Sequence, residues 1–115
     1  NDVVVIDTAS KSVSSVSTSG TKPSPRFGHS ACIWNNKMFI YGGYDTESAT
    51  KSEIFQLDLS SFTWSSVPAK GNSRPPPRYQ CGSCVLGDQW YIFGGSSGVS
   101  PYNDTWSFEF DSNTW

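Results

Sequence analysis

A chain of 115 residues has room for one ordinary domain. Hydrophobic residues make up 36% and aromatics 15%, so apolar surface is concentrated in large rings, and ten Gly and seven Pro break the chain too often for long helices. The net charge is −2 with the eight basic residues scattered. There is no basic stripe for phosphates, no apolar run of ~18 residues for a membrane span and no basic-then-apolar leader, so neither nucleic acid nor membrane is an expected partner.

Taken in chain order, the predicted elements are all short strands. Residues 1–17 read as two of them, and a polar stretch follows. His29 to Trp34 is the next strand, and Asn35-Asn36 is a two-residue turn suited to a tight hairpin. Met38-Phe39-Ile40-Tyr41 is a continuous apolar run, as in a strand buried on both faces. Gly42-Gly43 and the polar loop Tyr44 to Lys51 lead to strands at Ile54 to Leu57 and Thr63 to Val67. A proline-rich connection, Pro68 to Pro77, introduces a second copy: Cys81 to Leu86, the turn Gly87-Asp88, Trp90 to Phe93, Gly94-Gly95 and the loop Ser96 to Tyr102.

Self-comparison makes the repeat explicit. Pro25-Arg26 returns as Pro77-Arg78, and Gly42-Gly43 as Gly94-Gly95, each 52 positions on. Asp7, Asp58 and Glu109 are 51 apart, and six residues after each stand Val13, Trp64 and Trp115. Asn1-Asp2 likewise matches Asn103-Asp104, which explains those residues better than a glycosylation sequon does. Four antiparallel strands per ~50 residues describe a propeller blade, and a lone blade must stack on neighbours to cover its faces. The fold class is therefore all-β.

The segment Pro25-Arg-Phe-Gly-His-Ser-Ala31, the apolar run ending in Gly42-Gly43, and Asp58 with Trp64 together resemble the kelch repeat. The likeness covers the whole chain, although Gln80 and Cys81 replace Gly28 and His29 in the second copy, and Glu109 replaces the Asp. It implies kelch-type blades of four-stranded antiparallel sheet in an incomplete ring: residues 1–17 the outer strands of one blade, 18–68 a complete blade, 69–115 most of another. Kelch propellers commonly close with six or seven blades. The remaining blades of the same propeller are expected elsewhere, since a seamless trimer would need a whole number of repeats per chain.

Few residues suggest chemistry. His29 is the single histidine and fits a structural position of the repeat better than a general base or metal ligand. Cys81-Gly-Ser-Cys84 has redox-like spacing, but on a strand i and i+3 face opposite ways, so small buried thiols are the reading. Three cysteines make no disulfide framework, and a reducing compartment, cytoplasm or nucleus, is the default. Trp64, Trp90 and Trp115 read as packing, and Asp7, Asp58 and Glu109 as acceptors in the turn to the last strand or as partners of an Arg. No cofactor or metal is expected.

Arg26 and Arg78 enter the first strand of each repeat, while Tyr44 and Ser96 follow the Gly pairs at the exit of the second. A hairpin puts these points at one edge, so both Arg, Tyr44, Asp45, Glu47, Ser96 and Ser97 share one propeller face. Guanidinium groups there would grip an acidic or phosphorylated segment; the alternative is that each Arg pairs with a blade carboxylate or caps a loop. Asp45 and Glu47 would act only against a basic partner. The resemblance to kelch substrate adaptors of ubiquitin ligases implies the first arrangement. The functional expectation is a non-catalytic scaffold or substrate-adaptor module that binds a partner protein through these loops. The alternative is part of a kelch-like enzyme (galactose oxidase, mutarotase or specifier-protein type) with its active site on absent blades; the copper chemistry needs two His and a Tyr cross-linked to Cys.

Overall fold

A computed structural model describes residues 2–45, 47 and 49–115. Asn1 of the expected Asn-Asp repeat pair, and Thr46 and Ser48 of the expected polar loop, lie outside the described residues. Among the described residues twelve strands follow in chain order: β1 Val3–Asp7, β2 Ser12–Val16, β3 Ser19–Gly20, β4 Arg26–Phe27, β5 Ser30–Trp34, β6 Lys37–Tyr41, β7 Tyr44–Asp45, β8 Ile54–Asp58, β9 Thr63–Val67, β10 Gly82–Leu86, β11 Gln89–Phe93 and β12 Thr105–Glu109. β1 and β2 form a hairpin, and the middle sheet has the order β3-β9-β8-β6-β5. The third sheet is β10-β11-β12, and none of the sheets closes on itself.

Local chemistry sets the hairpins. Trp34 pairs with Lys37 across Asn35-Asn36, whose φ angles of 46° and 58° suit Asn, one of the few non-glycine residues that tolerate the left-handed region. The turn before the last strand is held by the recurring acid. Asp7 Oδ1 accepts from the amides of Ala9 and Ser10 (2.8 and 3.1 Å), and Asp58 Oδ1 from those of Ser60 and Ser61 (both 2.9 Å). These amides hold both carboxyls below the usual Asp range. Glu109, one methylene longer, instead accepts the Ser112 hydroxyl at 2.5 Å.

Side chains alternate across each strand, and the two faces of β6 enter two different cores. Phe39 and Tyr41 join Ile54, Val67, Trp90, Ile92, Phe108 and Phe110 between the middle and third sheets. Ile40 joins Leu57 and Trp64 on the opposite side, with Val3 of the first hairpin packed against them. Trp34 stacks on Phe110, ring centroids 4.7 Å apart and planes within 10°.

Sequence reading missed the short strands. β3 pairs in parallel with the outermost strand β9, and the bridge Lys70–Thr114 repeats this in the third sheet. The connector preceding each sheet therefore runs along that sheet's outer strand. Such cover removes an exposed edge that would otherwise template pairing with other chains.

One expectation needs correcting. Cys84 was expected to be a buried thiol but is exposed, because it looks away from the middle sheet; its counterpart Cys32 packs against the core between the sheets. Leu86 and Phe93 share the exposed side with Cys84, at 74% and 57% accessibility, whereas their counterparts Trp34 and Tyr41 are covered by the third sheet.

Candidate partner-binding face

The connector into each sheet and the loop after its second strand meet at one end of the sheet. β4 pairs with β7, setting Arg26 opposite Asp45 and Phe27 opposite Tyr44; in the third sheet the bridge Tyr79–Ser96 repeats the arrangement. The Gly pairs make this meeting possible. Gly42 and Gly43 have φ of 68° and 101°, and the Gly43 amide donates to the Arg78 carbonyl at 2.9 Å, tying the middle sheet to the next connector. Arg78 N returns a bond to the Lys51 carbonyl (3.1 Å), and Gln80 N donates to Gly28 O (2.6 Å).

Both arginines turn inward. Arg78 is fully buried: Nη1 and Nη2 grip Asp104 in a fork (2.6 and 2.8 Å), Nη1 also donates to Gly94 O (2.8 Å), and Nε to Pro76 O (3.2 Å). The guanidinium also lies 4.3 Å from the Tyr102 ring centre. Hydrogen bonds from Arg78 and then Trp106, opposed by partial burial, hold the Asp104 carboxyl well below the usual Asp range. Arg26 repeats the plan more loosely. It donates to Gly42 O (3.0 Å), to Ser24 through its carbonyl and hydroxyl, and to Glu53 at 3.3 Å, over the Phe55 ring. Its side chain is 4% exposed. Neither guanidinium is presented to solvent as partner contact would require; both are consumed inside their own sheet.

Asp45, Ser96 and Ser97 are turn formers. Asp45 is buried, takes an ion pair from Lys51 at 2.6 Å, and accepts from the amides of Glu47 (3.0 Å) and Ala49 (3.3 Å). Ser97, its repeat counterpart, accepts from the amides of Val99 (3.3 Å) and Ser100 (3.0 Å) in the same way, while Ser96 Oγ accepts from Gly98 N (3.0 Å). Both turns carry exposed residues. Among them are the repeat counterparts Glu47 and Val99, the latter 94% exposed.

What the face offers instead is aromatic. Phe27, Tyr44 and Tyr79 form a triad with centroid separations of 5.5, 6.1 and 5.5 Å, and Phe27 is 57% exposed. Pro25, Arg26, Phe27, Tyr44 and Asp45 line a depression of about 140 Å³ beside it. A side chain at Gly98 would lie 3.8 Å from the Tyr44 ring, so the third-sheet loop leans over the triad. Among the described residues neither phenol hydroxyl has a hydrogen-bond partner. Sequence reasoning named Tyr44 but missed Phe27 and Tyr79. The signal was available, for each directly follows a recurring Pro-Arg, 52 positions apart.

His29 is exposed beside Arg26, its pKa lowered first by desolvation and then by the Arg26 charge. Burial pushes the Cys32 thiol up to about 12. Among the described residues no group of three or more His, Cys, Asp or Glu is placed to hold a metal ion, and no helix is long and apolar enough to cross a membrane.

Stacked four-stranded repeats with twin-Gly exits and sheet-spanning arginines define a class, the propeller built of kelch repeats. The chain belongs to the kelch-repeat family: the family model for the KLHDC2/KLHL20/DRC7 Kelch-repeats domain matches residues 1–115. Among its relatives, the leucine-zipper-like transcriptional regulator 1 homolog of Drosophila melanogaster is 37% identical over 84% of this chain and 10% of its own length. Kelch domain-containing protein 3 of Mus musculus is 41% identical over 67% of this chain and 20% of its own. Tip elongation aberrant protein 1 of Schizosaccharomyces pombe is 30% identical over 97% of this chain and 10% of its own. The chain thus spans a tenth to a fifth of the length of these relatives.

Proposed function

We propose that the chain is part of a protein-interaction scaffold or substrate adaptor that takes its partner on the face carrying the loops after the Gly pairs. The observation supporting this is the Phe27–Tyr44–Tyr79 triad. It is an apolar patch on a rigid frame, rimmed by polar loops and carrying two free hydroxyls, and buried aromatic anchors of this kind dominate binding energy at interfaces. Glu47 and Val99 in these loops add contacts that differ between repeats. The exposed apolar side bearing Leu86 and Phe93 fits a further blade of the same propeller, because the equivalent side of the middle sheet is covered by the third. Three free thiols fit a reducing compartment, cytoplasm or nucleus.

The test is the double variant Phe27→Ala/Tyr79→Ala in the full-length protein, using crosslinking capture of partners from cells alongside thermal melting. Loss of partners at an unchanged melting temperature is expected. Retention of every partner would sink the assignment of this face.

A further inference from the structure

The two copies differ at an exposed position beside the repeated arginine. Ser24 precedes Pro25-Arg26 where the second copy has Pro76 before Pro77-Arg78, 52 positions on. Pro23 and its counterpart Pro75 are both buried, and Ser24 and Pro76 both exposed, so the two connectors follow the same course. Pro76 is exposed with the middle sheet already stacked on the third, hence a preceding blade leaves the position of Ser24 open as well.

The exchange changes how the guanidinium is held. Arg78 commits Nη1 and Nη2 to the Asp104 fork (2.6 and 2.8 Å). At Arg26 the carboxylate of Glu53 takes only Nη1, at 3.3 Å, and the other edge faces Ser24: Nη2 donates to its Oγ at 3.0 Å and Nε to its carbonyl at 3.2 Å. That edge therefore holds an oxygen that can be esterified. A phosphoryl group on Oγ brings about −1.5 to −2 of charge, with three acceptor oxygens, to a guanidinium edge already turned toward it. Two N–H groups on one edge match two phosphate oxygens. The competing anion is able to leave, since Glu53 is 54% exposed, while Nη1 keeps the Gly42 carbonyl. Asp45, opposite Arg26 in the sheet, is neutralised by Lys51 at 2.6 Å.

Proline after a serine removes an amide donor and biases the serine toward the extended backbone that a kinase groove takes. Lys22 to Pro25 belongs to no strand and is open to such a groove at Ser24. The second Ser-Pro pair, Ser100-Pro101, is not: the Ser100 amide and carbonyl are both tied to Ser97 within its turn. Among the described residues the Ser100 hydroxyl bonds to no basic side chain.

We infer that Ser24 is a phosphorylation site for a proline-directed serine kinase, and that Arg26 receives the phosphate by releasing Glu53. ATP supplies the group: the Oγ–P bond forms as the bond from phosphorus to the β,γ-bridging oxygen breaks, ADP leaves, and the hydroxyl proton passes to the kinase's catalytic carboxylate. The second copy, with proline at this position, has no such switch.

The test incubates the full-length protein with ATP and a purified proline-directed kinase, maps phosphate by peptide mass spectrometry and titrates it by phosphorus NMR, with Ser24→Ala to assign the signal. Phosphate on Ser24 is expected, with a second pKa below the ordinary value of about 6, because the cation favours the dianion. Arg26→Gln should return that pKa to about 6. Glu53→Gln, at a side chain more than half exposed, leaves the arginine in place and should lower the pKa further. No phosphate on Ser24, modification of Ser100 in its stead, or phosphate on Ser24 whose titration neither substitution moves overturns the inference.

Discussion

The middle and third blades carry the same arginine at the same repeat position, yet hold it differently. Arg78 is fully buried and forks onto Asp104, whose side chain is 35% exposed; Arg26 reaches Glu53 through one contact at 3.3 Å, and that Glu is 54% exposed. The extra methylene of Glu moves the carboxylate outward, so the fork becomes a single bond. The same asymmetry runs through the stacking faces. Tyr41 and Phe93 are repeat counterparts, but Tyr41 has the third blade against it and is fully buried, while Phe93 faces open space. A repeat position thus fixes where a side chain points, and the neighbour fixes what the position contributes.

The largest effect should separate these two aromatics. In the 115-residue chain, where no sheet lies over Phe93, Tyr41→Ala is expected to cost about 3–5 kcal/mol in urea unfolding, as truncation of buried aromatics does, and Phe93→Ala less than about 1 kcal/mol. Equal losses would break the comparison by showing that the open side is covered in solution.

The arginines come next. Arg78→Met should cost about 2 kcal/mol, because partly exposed Asp104 loses its fork and Gly94 O loses a buried donor, against about 1 kcal/mol for Arg26→Met, whose partner Glu53 stays in water. The difference in melting temperature between the two variants measures this, and it should narrow in the background Glu53→Asp if side-chain length is the cause.

Gly42→Ala should then cost more than Gly94→Ala. Both residues have positive φ, worth about 1 kcal/mol to an alanine. At Gly42, however, the new Cβ also presses into the Arg78 carbonyl of the next blade, whereas at Gly94 it meets only Tyr102 O, 3.1 Å away. Denaturant midpoints of the two variants decide this, and equality would mean that the blades can shift apart to make room.

The smallest effect is in pH. Asp104 is held below its unfolded value of about 3.9, so its pairing contributes full stability above that value, and the contribution is lost as pH falls toward the folded pKa. The stability gap between the parent chain and Asp104→Asn should therefore be constant near neutrality and shrink below about pH 4. A gap independent of pH down to about 2 would show that the carboxyl acts through shape and not charge.

The five-residue strands, the Asn35-Asn36 turn and the acid-held turns were legible because period-two patterning, two-residue loops and Asp side chains act over a few residues. The two-residue strands β3, β4 and β7 were not, since each exists only by pairing with a segment distant in sequence. The candidate face was half legible. That Arg26, Tyr44, Arg78 and Ser96 share one end of the sheets follows from hairpin geometry. Which side chains remain available there does not, because availability depends on partners such as Glu53, Asp104 and Lys51, which sequence reading did not assign.

What the sequence determined alone is the repeat, its all-β class and its kelch membership, because the markers recur at 51 or 52 residues and each reflects a local backbone requirement. Tertiary structure decided how those markers are used. Ion pairing withdrew the arginines from the surface, since a desolvated guanidinium must be matched in full, and the stacking of neighbouring blades brought Phe27, Tyr44 and Tyr79 into contact.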